Sequence, residues 1–266
     1  MKLSVAVITY NEAANIRRCL ESVKWADEIV VIDSGSTDET IKICKEYTQF
    51  VYSYEWPGYS LQKQRAIDHS HKQWILSLDA DEELSVDLQI EIKKIIRNSF
   101  FNAYKIPRKL VYREVLLKYA EGGSYKLRLF RRGCGEMDGK KVHESLVTRE
   151  NVGKLSGTLY HHSFSSLEDM LRKMNAYSSL SAEEKATKRE RGGVLKGLYH
   201  GCWTFLRIYL IRKAFLDGSL GFVFSFALAE GSYYRYVKLA FDHKDHVHSS
   251  CCRNVCGKSS YQKNSQ

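Results

Sequence analysis

Leu3-Ser4-Val5-Ala6-Val7-Ile8-Thr9-Tyr10-Asn11-Glu12 begins as an unbroken apolar run and breaks into polar turn residues. Glu28-Ile29-Val30-Val31-Ile32-Asp33-Ser34-Gly35-Ser36-Thr37-Asp38 repeats the pattern. Short, β-branched runs without alternation mark strands buried on both faces, as in a parallel sheet sandwiched between helices. Between them Ile16, Cys19, Leu20 and Val23 recur at helical spacing, with Asn11 as the expected N-cap; a second helix is expected from about Thr37, carrying Ile41 and Cys44. The pattern is β-α-β, and the expected fold class is α/β with a mostly parallel sheet.

Working outward, residues 50–54 suggest a third strand and Ser60 to His69 a helix. Trp74-Ile75-Leu76-Ser77-Leu78 reads as a fourth buried strand ending at Asp79, followed by a helix from about Ser85 to Ile96. The strand ends then share one sheet edge, where open α/β sheets bind ligands. Residues 102–149 turn strand-like, charged and Gly-containing, and form the expected acceptor-facing half of the domain. From Ser166 a helical pattern sets in, with Leu167, Met170, Leu171 and Met174 on one face and a polar stretch at 182–193 beyond. The expected division is 1–165, 166–242 and a tail at 243–266. No solenoid-type repeat is present.

With 266 residues, 44% hydrophobic and 27% charged, the chain can bury a large core, and two prolines and 17 glycines exclude collagen-like or low-complexity classes. Residues 167–266 hold 16 Lys and Arg against 9 Asp and Glu, so most of the net charge of +10 lies in this part. Such a surplus suits nucleic acid, an anionic membrane or a phosphorylated substrate. Seven cysteines, at 19, 44, 134, 202, 251, 252 and 256, lack framework spacing and read as reduced thiols of a cytoplasmic protein. The first residues lack a signal peptide's longer apolar segment and cleavage site.

Asp79-Ala80-Asp81-Glu82-Glu83 places two carboxylates two residues apart directly after a buried strand. Such a pair suits Mg²⁺ or Mn²⁺ shared with substrate phosphates, one carboxylate binding metal while the other orients a ribose; it is also what a solvated acidic helix start looks like. Thr9, Asn11, Glu12 and Asp33 fall at the same edge, where they could read a base and ribose. Neither turn has the Gly pattern of a dinucleotide site or a Walker loop, which argues against hydride transfer and P-loop chemistry.

Val-Ile-Thr-Tyr-Asn-Glu at 7–12, Val-Ile-Asp-Ser-Gly-Ser-Thr-Asp-Glu-Thr at 31–40 and Leu-Asp-Ala-Asp-Glu at 78–82 closely resemble the nucleotide-sugar domain of family 2 glycosyltransferases with the GT-A fold. Further matches are Ile-Pro-Arg at 106–108, Gly-Gly-x-Tyr-x-x-Arg-Leu-Phe-Arg-Arg at 122–132, Val-His-Glu at 142–144, His161, Ser166-Leu167-Glu168-Asp169 and Phe215-Leu216-Asp217-Gly218. This series resembles the bacterial lipopolysaccharide inner-core β-glucosyltransferases over roughly residues 1–242. The resemblance implies nucleotide-sugar contacts at Thr9, Asn11, Glu12, Asp33 and Asp79, with Lys63 and Arg65 near the diphosphate. It implies metal ligands at Asp81 and His161, a small-residue loop at Gly122 and Gly123, and an acid/base carboxylate at Glu144. The implied reaction moves a hexose, glucose from UDP-glucose, onto a lipopolysaccharide-core heptose with inversion. A polyprenyl-phosphate or other glycolipid acceptor would share every N-terminal motif, and a non-catalytic membrane-surface adaptor is the rival from another class.

Residues 203–216 mix aromatic and aliphatic groups with Arg207, Arg212 and Lys213, and 220–229 form an apolar run of ten, short of the ~20 residues a bilayer span needs. A helix pair of this kind either lies in an anionic headgroup layer on the cytoplasmic face of the inner membrane or packs on the catalytic domain. The basic surplus accompanies no nucleic-acid recognition motif, so no nucleic-acid partner is expected. The tail gathers Cys251, Cys252 and Cys256 near His243, His246 and His248 without paired zinc-ligand spacing, and is expected to be disordered.

Overall fold

The structure, a computed structural model, describes residues 2–120, 125–138 and 145–242. Gly122, Gly123, Glu144 and the tail from 243 lie outside the described residues. In chain order the first half runs β1 (Leu3–Thr9), α1 (Ile16–Val23), β2 (Glu28–Asp33), α2 (Thr40–Lys45), β3 (Val51–Ser53), α3 (Tyr59–Asp68), β4 (Trp74–Asp79), β5 (Glu82–Leu84) and α4 (Val86–Ile95). β3, β2, β1 and β4 lie side by side in that order, all parallel, so α1, α2 and α3 are crossover helices on the two faces. Every residue of β1 and β2 is buried, as their unbroken apolar runs require. One core lies on the side of α1 and α4 around Leu20, Trp74 and Ile92, and another on the side of α3 around Ile32, Ala66 and Phe130.

The second half brings β6 (Ala103–Tyr112), β7 (Val115–Leu117), β8 (Tyr125–Arg131), β9 (Glu136–Met137), β10 (Leu146–Val147), β11 (Val152–Lys154) and β12 (Leu159–Phe164). β8 adds antiparallel to β4, β6 antiparallel to β8, β12 parallel to β6 and β5 antiparallel to β12. The sheet is therefore parallel through its first four strands and mixed beyond them, which gives the expectation of a mostly parallel sheet its limit. The arrangement is the α/β, GT-A-type layout expected above.

Two helix starts differ from expectation. α1 begins at Ile16, with Asn15 as its cap, and α2 at Thr40 after Glu39. Asn11 stands in the left-handed region at φ 51°, and its side-chain oxygen accepts the Thr37 amide at 2.8 Å. The side chain thus ties the loop after β1 to the loop after β2 instead of capping its own helix. α4 begins where the sequence places it: the Ser85 hydroxyl accepts the Leu88 amide at 3.2 Å.

α5 (Leu167–Thr187) is capped by Ser166 and runs well into the stretch expected to separate the regions. α6 (Val194–Leu206) continues through a π-helical turn (Arg207–Ile211), and a 3-10 turn (Ala214–Asp217) leads into α7 (Gly218–Phe241). The helices do not stand apart from the sheet: Met170, Ile208, Ala214, Phe224 and Ala227 share one core with Leu110, Leu117 and Ala120. The unit Ala214–Phe241 is 28 residues long and passes a bilayer span by length and composition, whereas the apolar run of ten alone does not. The described cysteines 19, 44, 134 and 202 are free thiols.

Candidate active site

Parallel register sets the site. Thr9 pairs with Asp33 and Ile8 with Asp79, so the carboxyl ends of β1, β2 and β4 open on one edge. The loops leaving that edge are tied together: the Asn11 amide donates to Ser36 Oγ at 2.8 Å, the Glu12 amide to Thr40 Oγ1 at 2.8 Å and the Ala13 amide to Asp38 at 3.1 Å. Asp33 is fully buried and accepts the Gly35 and Ser36 amides at 2.8 and 2.9 Å and the Ser36 hydroxyl at 2.5 Å. Its carboxylate therefore shapes the loop, with Gly35 at φ 89° making the turn. Thr9 is buried, and its Oγ1 finds no hydrogen-bond partner among the described residues; buried hydroxyls are nearly always paired, so this one suits a ligand atom.

At the end of β4 the two aspartates differ. Asp79 lies between Lys63 Nζ of α3 at 2.8 Å and Arg128 of β8 at 2.7 Å. Burial alone would raise its pKa, but Arg128 and Lys63 outweigh burial and hold the carboxyl far below the usual range. Arg128 also grips Glu82, fully buried, at 2.5 Å, while Glu82 accepts the Asp79 amide at 3.0 Å and faces Arg108 at 3.5 Å. This network holds the turn between β4 and β5.

Asp81 sits beyond that network, 3.3 Å from His161 Nε2 on β12. Burial pushes its carboxyl up, but the His161 ring outweighs burial and keeps it below the ordinary value. The Asp81 carbonyl accepts the His162 amide at 2.8 Å, and His162 pairs with Glu83 at 3.0 Å, so β12 holds both acidic residues of the turn. Glu12 belongs to the same cluster: burial raises its pKa, the Asn15 side-chain amide, which donates to its carboxylate at 2.8 Å, lowers it, and the Asp81 charge raises it further. Lys173 of α5 donates to the Ser163 carbonyl of β12 at 2.6 Å, and its charge and that of Asp169 also act on Glu12.

Of the two basic residues expected at the diphosphate, only Lys63 meets the aspartate pair. Arg65 turns away, donating to the Glu55 carbonyl at 3.0 Å and Gln62 at 2.9 Å over the Tyr54 ring. Glu144 lies outside the described residues. Arg128 and Glu82 were not singled out from the sequence; the available signal was an arginine inside the apolar strand Tyr-Lys-Leu-Arg-Leu-Phe at 125–130. As a metal site, Asp81 and His161 offer one oxygen and one nitrogen donor, and among the described residues no three His, Cys, Asp or Glu side chains are arranged to hold a metal ion by themselves. That set fits a divalent cation shared with a substrate's phosphates and does not fit a closed protein cage.

The glycosyl transferase family 2 profile matches residues 4–135, which contain Thr9, Asp33 and the Asp79–Asp81 turn. An uncharacterized glycosyltransferase of Rickettsia prowazekii is 35% identical over 259 residues, spanning 90% of this chain and 86% of its own length. The chain belongs to the family 2 glycosyltransferases. This transferase is also 30% identical over 261 residues to the lipopolysaccharide core biosynthesis glycosyltransferase LpsC of Rhizobium meliloti, covering 89% of this chain and 93% of LpsC. Among solved structures it is similar to S. aureus TarS 1–349 in complex with UDP-GlcNAc, at 16% identity, TM-score 0.46, and coverage of 88% of this chain and 91% of that one.

Proposed function

We propose that this transferase moves a hexose, glucose from UDP-glucose, onto a heptose of the lipopolysaccharide core, inverting the anomeric configuration in a single displacement. The observation that supports the reading is the Asp81–His161 pair at the carboxyl edge of β4, beside the buried Thr9 hydroxyl and the tied loops. The likeness to LpsC along nearly its whole length supports the acceptor. Thr9, Asn11, Glu12 and Asp33 form the seat of the nucleoside. Lys63, steered by Asp79, faces the diphosphate. Asp81 and His161 would hold Mg²⁺ or Mn²⁺, and the cation would supply positive charge to neutralise the departing diphosphate.

Glu144 is the proposed base, placed by the resemblance of Val-His-Glu at 142–144. It takes the proton of the acceptor hydroxyl as that oxygen attacks the anomeric carbon from the face opposite the diphosphate. Peripheral attachment to an anionic surface, on the cytoplasmic face of the inner membrane, brings the enzyme to a lipid-linked acceptor. A panel of nucleotide sugars, with hydrolysis and transfer to a heptose-terminated core measured separately, tests the reading. Transfer from UDP-glucose alone supports it; transfer only to a polyprenyl phosphate replaces the acceptor, and no turnover with any donor refutes it.

A further inference from the structure

Ala214–Phe241 is the one described segment with the length and composition of a membrane span, and although only a third of its apolar window is buried, one side of it is fastened to the protein. Asp217, at its start, accepts the backbone amides of Lys118, Tyr119 and Ala120 at 3.0, 2.9 and 3.0 Å. Further along, Ser225 is fully buried, and Phe224 and Ala227 fill the core shared with β6 and β7. Lys238 donates to Asn175, Ser178 and Ser179 of α5. A spanning α7 would lose all of these.

In α6 only Gly197 and Gly201 are buried. It approaches α7 through Gly197 and Gly201, where an added Cβ would stand 2.9 Å from the Tyr233 carbonyl and 3.2 Å from that of Ala229. The face turned away from α7 carries Leu195, Tyr199, Trp203 and Leu206, and the π-helical turn adds Leu210 and Ile211; all six are exposed, Leu195 at 82% and Ile211 at 63%. Helix and turn together cover 18 residues, 194–211, or about 27 Å of continuous apolar edge. Between Glu190 and Asp217 the chain has five cations, Arg191, Lys196, Arg207, Arg212 and Lys213, and no acidic residue. Arg207, Arg212 and Lys213 are exposed at the far end of the apolar edge.

We infer that α6 and the turn after it form the bilayer-facing surface, lying in the plane of an anionic leaflet with the six apolar side chains below the headgroups and the three cations among the phosphates. α7 does not cross the membrane; it is the protein-side support of that surface. A large apolar face bordered by cations matches the composition of interfacial helices, and uniform positive charge disfavours a second copy of the same surface as occupant. The inference rests on the peripheral attachment proposed above and names the surface that makes it.

The test is co-sedimentation of the full chain with phosphatidylcholine vesicles, with and without phosphatidylglycerol. Wild type should bind the anionic vesicles, more weakly as salt rises. Leu195→Asp with Ile211→Asp, and separately Arg207→Glu with Arg212→Glu, should each reduce partitioning by more than about 10-fold. Phe100→Asp, at a residue 92% exposed and ahead of β6, should leave binding unchanged, and UDP-glucose hydrolysis in solution should stay at the wild-type rate in all three. A wild type that binds no vesicle refutes the attachment itself. A wild type that binds while the α6 variants bind equally well overturns only the assignment to α6, and resistance of wild type to alkaline carbonate extraction overturns it in favour of a spanning α7.

Discussion

Asp79 and Asp81 stand two residues apart and have different duties. Asp79 is locked between Lys63 and Arg128, whereas Asp81 faces His161 at the open edge. Asp81→Ala should leave the fold intact, because the Asp79–Arg128–Glu82 network does not include it, and reduce transfer by at least about 10² through lost stabilisation of the leaving group. Circular dichroism and a transfer assay check both halves. Arg128→Met should act in the other direction, on stability: it leaves Asp79 with Lys63 alone and the buried Glu82 with only the longer Arg108 contact, and should cost about 3 kcal/mol in chemical denaturation. Glu144→Gln should keep UDP-glucose affinity near normal while turnover falls about 10²–10⁴-fold. Asp79 and Asp81 were legible because an Asp-x-Asp after a buried strand is a local pattern. Arg128 and Glu82 were not, since their partnership joins β8 to the β4–β5 turn across more than forty residues.

At the scale of elements, strand placement was legible wherever the apolar run was unbroken, as in β1, β2 and β4. Helix starts were legible only where the cap acts on its own helix. Ser85 does so, and its hydroxyl also accepts the Thr158 amide at 3.1 Å, so Ser85→Ala should cost about 1 kcal/mol or somewhat more by urea denaturation. Asn11 reaches across to Thr37 instead, a tertiary bond that a residue-by-residue reading assigns to the wrong helix.

Glu28 fastens β1, β2 and the turn before β4: it accepts the Ser4 hydroxyl and the His71 amide and faces Lys72 at 3.6 Å. Burial would raise its carboxyl, but the His71 amide, the Ser4 hydroxyl, the His71 ring and Lys72 together lower it below the ordinary glutamate value. A carboxyl depressed in the folded state gives stability that is complete above its unfolded value, near pH ~4.3, and is lost as pH falls through the folded value. Denaturation midpoints of Glu28→Gln should therefore be lower than wild type at pH 7 and converge with it as the pH drops below about 4.

For the molecule as a whole, a change of composition near residue 165 was legible, but the packing across it was not, because pairing between a β6–β7 arm and helices a hundred residues later leaves no periodic trace. The helices complete a core whose other half is Leu110, Leu117 and Ala120, and Asp217 fastens them to the backbone at 118–120. The isolated 1–165 fragment should accordingly bind a dye for exposed apolar surface and melt below the full chain; a melting profile equal to that of the full chain would separate the two regions. The proposed mechanism requires a cation shared between Asp81, His161 and the donor's diphosphate. Calorimetric titration of UDP into wild type and Asp81→Ala, each with and without Mn²⁺, measures that sharing directly. The expected result is tighter UDP binding with Mn²⁺ in wild type, by about 10-fold or more, and no dependence on Mn²⁺ in the variant; UDP affinity in wild type that ignores Mn²⁺ would contradict it.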